Sequence, residues 1–182
     1  MHYIMSCEGE HPIAAIDESP RLPGGPWMHG RPIAIDVPKP LVYTLDAQRP
    51  GKLKAMYDKA VPLVRDDLLE ALREAGVDNL EVFDAVVRDA AAGKEYTNYK
   101  AFNIVGVIAC ADMDQSEVLG GSTVIDVDFA SLVLDESKCE GVLMFRLAEA
   151  VNAIVVDERV KGGVEASGVP GMVFYGPGEW CG

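Results

Sequence analysis

The 182-residue sequence is poor in the groups that catalytic and metal sites are built from. Its three histidines, His2, His11 and His29, all fall in the first thirty residues, and no two stand at the i, i+4 spacing that places zinc ligands on one helix face. Its four cysteines, Cys7, Cys110, Cys139 and Cys181, are scattered, without the close pairs of a zinc knuckle or a redox motif. Cys110 sits inside an apolar run, where burial raises a thiol's pKa and makes it inert, which argues against a Cys110–His29 nucleophile pair. That run, Ala101 to Ala111, is the longest nearly apolar stretch and is too short to cross a bilayer. The N-terminal residues show no basic segment followed by an apolar core, so a cytoplasmic protein with reduced thiols is expected.

Basic charge is also scarce, and its distribution is uneven. The formal net charge is −13. Between Arg21 and Arg65 eight basic residues face three acids, leaving +5 there and −18 over the rest of the chain. From Asp112 to Glu140 there are eight acids and a single Lys138. Such a field repels nucleic acid and anionic membranes and attracts a basic partner. Basic patches interleaved with aromatics, which nucleic-acid binding requires, are missing. With 49% hydrophobic and 25% charged residues the chain has globular composition, and its length allows a core without metal or disulfide staples.

Residues 1 to about 55 hold eight prolines, which excludes long helices and leaves short extended pieces at Ile13 to Ile16, Ile33 to Val37 and Leu41 to Leu45, which read as edge strands or surface-hugging loops. The first helix is predicted after Val64, with Asp66 and Asp67 in its first turn, Leu68, Leu69, Leu72 and Ala75 inward, and Gly76 at its end. Strands are expected at Leu80 to Val87 and Tyr99 to Cys110, the second central in a sheet, with Asp89 to Asn98 as their connection. Shorter strands follow at Ser122 to Val127, Leu132 to Leu134, Leu143 to Leu147 and Ala153 to Val156. A second helix is capped by Asp157, buries Val160 and Val164, and stops at Gly168; a last strand spans Met172 to Tyr175. Val64, Leu68, Leu72, Gly76, Val77 and Leu80 recur as Val156, Val160, Val164, Gly168, Val169 and Met172, a constant offset of 92 that suggests a duplicated strand–helix–strand unit. The fold class is α+β, a mostly antiparallel mixed sheet with two main helices. Residues 1–60 form a proline-rich region of short strands and loops, and residues 61–182 the main α+β domain.

No catalytic constellation emerges. Asp112 with Asp114, and Asp126 with Asp128, pair carboxylates on one strand face, and Glu117 lies near; neither segment has the twelve-residue calcium-loop pattern. Solvated strand ends or partner contacts are the stronger reading. No metal and no cofactor is expected. Gly24-Gly25 and Gly120-Gly121 lack the strand-then-helix setting of a phosphate loop and read as turns. Trp27 and Trp180 sit in proline- and glycine-rich turns that look exposed, where an aromatic anchor for a partner is at home. A core-facing tryptophan is the commoner case.

Several ordered segments resemble the family of bacterial immunity proteins numbered eleven in polymorphic-toxin systems. These are Tyr99-Lys100-Ala101-Phe102-Asn103-Ile104-Val105-Gly106-Val107-Ile108 and the turn Asp112-Met113-Asp114-Gln115-Ser116-Glu117. Leu132 to Lys138, Phe145-Arg146-Leu147, Val155 to Lys161 and Ala166 to Phe174 follow in order. The resemblance spans residues 60 to 176 and carries no catalytic motif. It implies a non-enzymatic inhibitor that binds and neutralises a cognate toxin effector in interbacterial competition. Together with the charge, it implies a toxin with a cationic surface, a nuclease before others, because nucleases bind phosphates. Expected contact residues are Asp112, Asp114, Glu117, Trp27 and Trp180. A turn capping a helix that begins near Ser116 is the alternative reading of the first three. A small intracellular enzyme or an acidic adaptor or regulatory protein are the alternative functions.

Overall fold

The computed structural model describes residues 1–24, 26–120, 127–139 and 141–182. The chain runs β1 (His2–Cys7), β2 (Ile16–Glu18), β3 (Leu41–Leu45), β4 (Met56–Tyr57), β5 (Leu63–Arg65) and α1 (Asp66–Glu74). It continues with β6 (Leu80–Asp89), β7 (Lys94–Ile104), β8 (Val107–Ile108), β9 (Glu117–Gly120) and β10 (Asp128–Ser131). A 3-10 turn (Glu136–Lys138) precedes β11 (Met144–Leu147), β12 (Ile154–Asp157), α2 (Glu158–Ser167) and β13 (Met172–Tyr175). The architecture is α+β with mostly antiparallel sheets. One sheet has the order β2-β3-β6-β7-β5-β4, the other β13-β1-β12-β11-β8, and β9 with β10 forms a separate two-stranded ribbon.

Both helices form for the local reasons the sequence displays. In α1, Leu68, Leu69, Ala71 and Leu72 are buried, and Asp66 and Asp67 face the positive end of the helix dipole. Gly76 takes a φ of 101°, which an L side chain resists. That turn lets the Val77 N–H reach the Leu72 carbonyl at 3.0 Å and the Gly76 N–H reach Arg73 at 2.9 Å, the two bonds of a Schellman stop. In α2 the Asp157 carboxylate accepts from the Arg159 N–H at 2.9 Å, Val160 and Val164 are buried, and Gly168 ends the helix at φ 72°.

The two helical units share one plan. β5 and β6 both pair antiparallel with β7, so α1 connects two parallel strands that have β7 between them. β12 and β13 both pair antiparallel with β1, so α2 does the same around β1. The recurrence at an offset of 92 is therefore repeated in space as a split β-α-β unit. The helices of the two units pack together where Gly163 lies against Ala75.

Several strand expectations change. The strand expected at Leu132 to Leu134 does not form: β10 ends at Ser131, and Leu134 makes an isolated bridge with Ala111. The run Tyr99 to Cys110 is not one strand: the chain leaves the six-stranded sheet after Ile104 and enters the five-stranded one at Val107. Gly106, at φ 150°, makes the switch, and the Asn79 amide bridges it by donating to the carbonyls of Val105 (3.0 Å) and Met144 (2.8 Å). Val107, beyond the switch, is 42% exposed, whereas Phe102 and Ile104 are buried. Of the two readings open for Ile33 to Val37, edge strand or surface-hugging loop, the structure takes the loop; Glu81 and Asn103 hold that segment through the Ile33 N–H (2.9 Å) and the Arg31 carbonyl (2.8 Å). The connection expected over Asp89 to Asn98 shortens to 90–93, because strand pairing continues to Asp89 and Lys94. Of the strand expected at Ser122 to Val127, only Val127 lies within the described residues.

The proline-rich region is woven into both sheets. β1 is an inner strand between β12 and β13, β3 extends the edge at β6, and residue 60 lies between the paired strands β4 and β5. Its core contribution centres on Trp27, Tyr43 and Tyr57 with Leu63 and Tyr99. A second core joins both helices to Phe102, Ile104 and Met144, and a third gathers Phe129, Phe145, Leu147, Val155 and Trp180. Each fully buried side chain of this kind contributes roughly 1.5–3 kcal/mol.

Candidate interaction surface

The acidic turn starts where the apolar run ends. Cys110 is fully buried, and burial pushes its thiol well above the usual range. Ala111 bridges to Leu134, and the Asp112 N–H donates to the Val133 carbonyl at 2.8 Å. Asp112 then folds the turn on itself: one carboxylate oxygen accepts from the N–H groups of Asp114 (3.1 Å) and Gln115 (3.2 Å), the other from the Gln115 side chain. Ser116 fastens the far side, its hydroxyl oxygen accepting from the Val133 N–H at 2.9 Å. No helix begins at Ser116; β9 starts at the next residue. Asp112 is thus half-buried and shapes the turn, while Asp114 and Glu117 project into solvent.

β9 pairs with β10, with Val118 opposite Phe129 and Glu117 opposite Ser131. Phe129 is fully buried and roots the ribbon in the third core beside Trp180, ring centroids 6.5 Å apart. The chain's last residues close the outer side of β10: Phe129 and Gly182 exchange backbone bonds of 2.7 and 3.0 Å, and the Leu132 N–H donates to Trp180 at 3.2 Å. Among the described residues no backbone bond joins the outer side of β9 to another strand.

This corner also carries most of the solvent-facing apolar bulk. Leu119 is 72% exposed, Met113 50% and Val118 40%. The sequence offered a signal for them, an apolar pair between an acid and a glycine pair, but not their exposure. Among the described residues, Asp112, Asp114, Glu117 and Asp128 have no cationic side chain within 4.0 Å. Farther along the acidic stretch, Asp135 pairs with Lys138 at 3.2 Å and Glu136 with His2 at 2.7 Å. Asp126 and Glu140 lie outside the described residues.

The tryptophans are not exposed as their turns suggested. Trp27 is 3% exposed and packs on Phe83 with ring centroids 4.8 Å apart; its backbone N–H donates to the Ala60 carbonyl at 2.7 Å. Trp180 is 9% exposed. In both places the proline- and glycine-rich backbone lies outside and the large ring turns inward, where its area is worth more. The structure therefore gathers Asp112, Asp114 and Glu117, sets Trp180 beneath the same ribbon, and puts Trp27 in a different core. Among the described residues no three His, Cys, Asp or Glu side chains converge as metal ligands, and no helix is long and apolar enough to cross a membrane.

A model of the immunity protein family Imm11 matches residues 7–178. The chain belongs to that family. Membership makes it an Imm11 immunity protein, directed against a toxin of a polymorphic-toxin system, and points to an inhibitor rather than an enzyme. The matched span runs from the last residue of β1 to the turn after β13, so it takes in the proline-rich segment that the residue-level resemblance over 60 to 176 did not use. Comparison with curated proteins finds no match.

Proposed function

We propose that this Imm11 protein neutralises its cognate toxin in the cytoplasm by stoichiometric binding, that the acidic ribbon corner is the binding face, and that the toxin is a nuclease with a cationic surface. The observation that carries the reading is the coincidence, on one corner and among the described residues, of four carboxylates without a cationic partner and three exposed apolar side chains. Carboxylates in that setting speed the encounter with a basic protein and imitate the polyanion a nuclease binds. The apolar residues supply area that is desolvated once the complex forms. Asp114 and Glu117 make the contacts, Asp112 shapes the turn that presents them, and Trp180 supports the ribbon from below. Trp27 helps hold the proline-rich segment.

The test is co-expression with the product of the neighbouring gene, where a cognate toxin is expected, followed by surface-plasmon kinetics. The complex should co-purify one to one and suppress the toxin's nucleic-acid cleavage. Asp114→Lys with Glu117→Lys, which leaves the Asp112 turn intact, should slow association about ten-fold or more and change dissociation less. Raising salt, which shortens the Debye length, should slow the wild type similarly. An association rate indifferent to both salt and charge reversal removes the electrostatic mechanism; a toxin that neither binds nor is inhibited removes the function.

A further inference from the structure

We propose that the outer edge of β9 receives an extended segment of the toxin as an added antiparallel or parallel strand, and that this segment alternates basic and apolar side chains. The inference rests on the reading of the acidic corner as the toxin-binding face and says how that face works.

The ribbon is an unusual thing to leave in solvent. A two-stranded ribbon is marginal by itself, and an exposed strand edge bearing apolar side chains invites pairing with other chains. Here one side is closed, because residues 180–182 pair with β10. Among the described residues β9 pairs only with β10, and it presents Leu119 at 72% and Val118 at 40% exposure. Phe129 and Trp180 anchor the ribbon to the core, so the edge is held in place before any partner arrives.

Charge decides which strand the edge accepts. Successive side chains alternate between the faces of a strand, so Glu117 and Leu119 share one face and Val118 lies on the other. Asp114 precedes this edge and Asp128 pairs opposite Gly120. A second copy of the same edge would bring Glu117 and its neighbours against like charges, which disfavours self-pairing. A strand that sets its Lys or Arg side chains on the Glu117 face and its apolar side chains on the Val118 face meets a carboxylate on one side and, across from Phe129, apolar surface on the other. Backbone hydrogen bonds would then give affinity and the alternating side chains specificity.

The test uses the full chain, labelled with nitrogen-15, and a capped hexapeptide Lys-Val-Arg-Ile-Lys-Val as probe. It is compared with a twin N-methylated at every residue and an analogue with Glu at each basic position. The methylated twin keeps the side chains and charges and loses every backbone donor. The parent should bind saturably, shift the amides of residues 117–120 and slow their hydrogen exchange. The methylated twin should bind about ten-fold or more weakly, and the acidic analogue should not saturate. Leu119→Lys, at a position too exposed to disturb folding, should weaken the parent as well. Equal binding of parent and methylated twin overturns strand pairing and leaves the acidic face standing. Absence of saturable binding, or shifts confined to other elements, also overturns the proposal. Neither result bears on co-purification with the toxin, which tests the underlying function separately.

Discussion

Arg146 and Asp58 join the two large sheets by an ion pair, Nη2 to Oδ1 3.2 Å. Arg146 belongs to β11 and its side chain is 1% exposed; Asp58 follows β4 and is 32% exposed. The guanidinium also donates to the Val151 carbonyl at 2.7 Å, while its Nε has no hydrogen-bond partner among the described residues. Burial pushes the Asp58 carboxyl above its usual range, so the pair is held against a desolvation cost. Asp58→Ala should therefore cost on the order of 3 kcal/mol, because a buried cation loses its counter-charge. Arg146→Met added to Asp58→Ala should recover much of it. Urea midpoints of the single and double variants decide; an unchanged midpoint for Asp58→Ala would mean the pair does not hold the sheets.

The glycine pair in α2 should split in behaviour. A methyl group at Gly162 would meet open space, whereas one at Gly163 would lie 3.0 Å from the Ala75 Cβ. Gly162→Ala should stabilise by up to about 1 kcal/mol through helix propensity alone. Gly163→Leu should cost about 1–3 kcal/mol by forcing the helices apart. Thermal and urea unfolding of both variants check this, and equal stabilities would remove the close approach at Gly163.

Acid sensitivity should run partly through Glu136. Burial opposes its charge, but the His2 backbone N–H (2.7 Å) and ring Nδ1 (2.7 Å) bond to the carboxylate and hold its pKa below the ordinary 4.5. A depressed carboxyl contributes stability above the unfolded pKa and loses it as pH falls through the folded value. Glu136→Gln should flatten the fall in stability below about pH 4.5 and leave the β1 terminus looser at neutral pH. Denaturation midpoints across pH 3 to 7 (about the range where carboxyls titrate) would show an unaltered slope if the contact is idle.

Thiol titration should separate one cysteine from three. Cys181 is exposed, and Cys7, Cys110 and Cys139 are buried. Burial raises the Cys110 and Cys139 thiols further, which suppresses the reactive thiolate. A disulfide-exchange reagent should label Cys181 quickly and the other three only on unfolding. Two or more fast thiols in the native protein would contradict the packing of β1 and of the 110–139 region.

Features written within a few residues were legible before the structure. Asp157, Gly168 and the spacing of Val160 and Val164 marked α2, Gly76 marked the stop of α1, and Leu41 to Leu45 and Met172 to Tyr175 are strands with those limits. The candidate carboxylates were legible as composition, since Asp112, Asp114 and Glu117 stand within six residues.

Partner choice was decided elsewhere. The sequence could not say that Tyr99 to Cys110 is shared between two sheets, because that depends on Asn79 and Gly30 meeting Gly106 from distant parts of the chain. It could not say that Trp27 and Trp180 turn inward, because the apolar surfaces that receive them, Phe83 and Phe129, lie 56 and 51 positions away. Nor could it show that, among the described residues, β9 pairs only with β10 while residues 180–182 close the other side of β10. Caps, glycine stops and helical periodicity act over a few residues, so sequence alone determines them. Strand order, edge exposure and the direction a large ring takes depend on contacts made across the chain, and only the tertiary structure decided those.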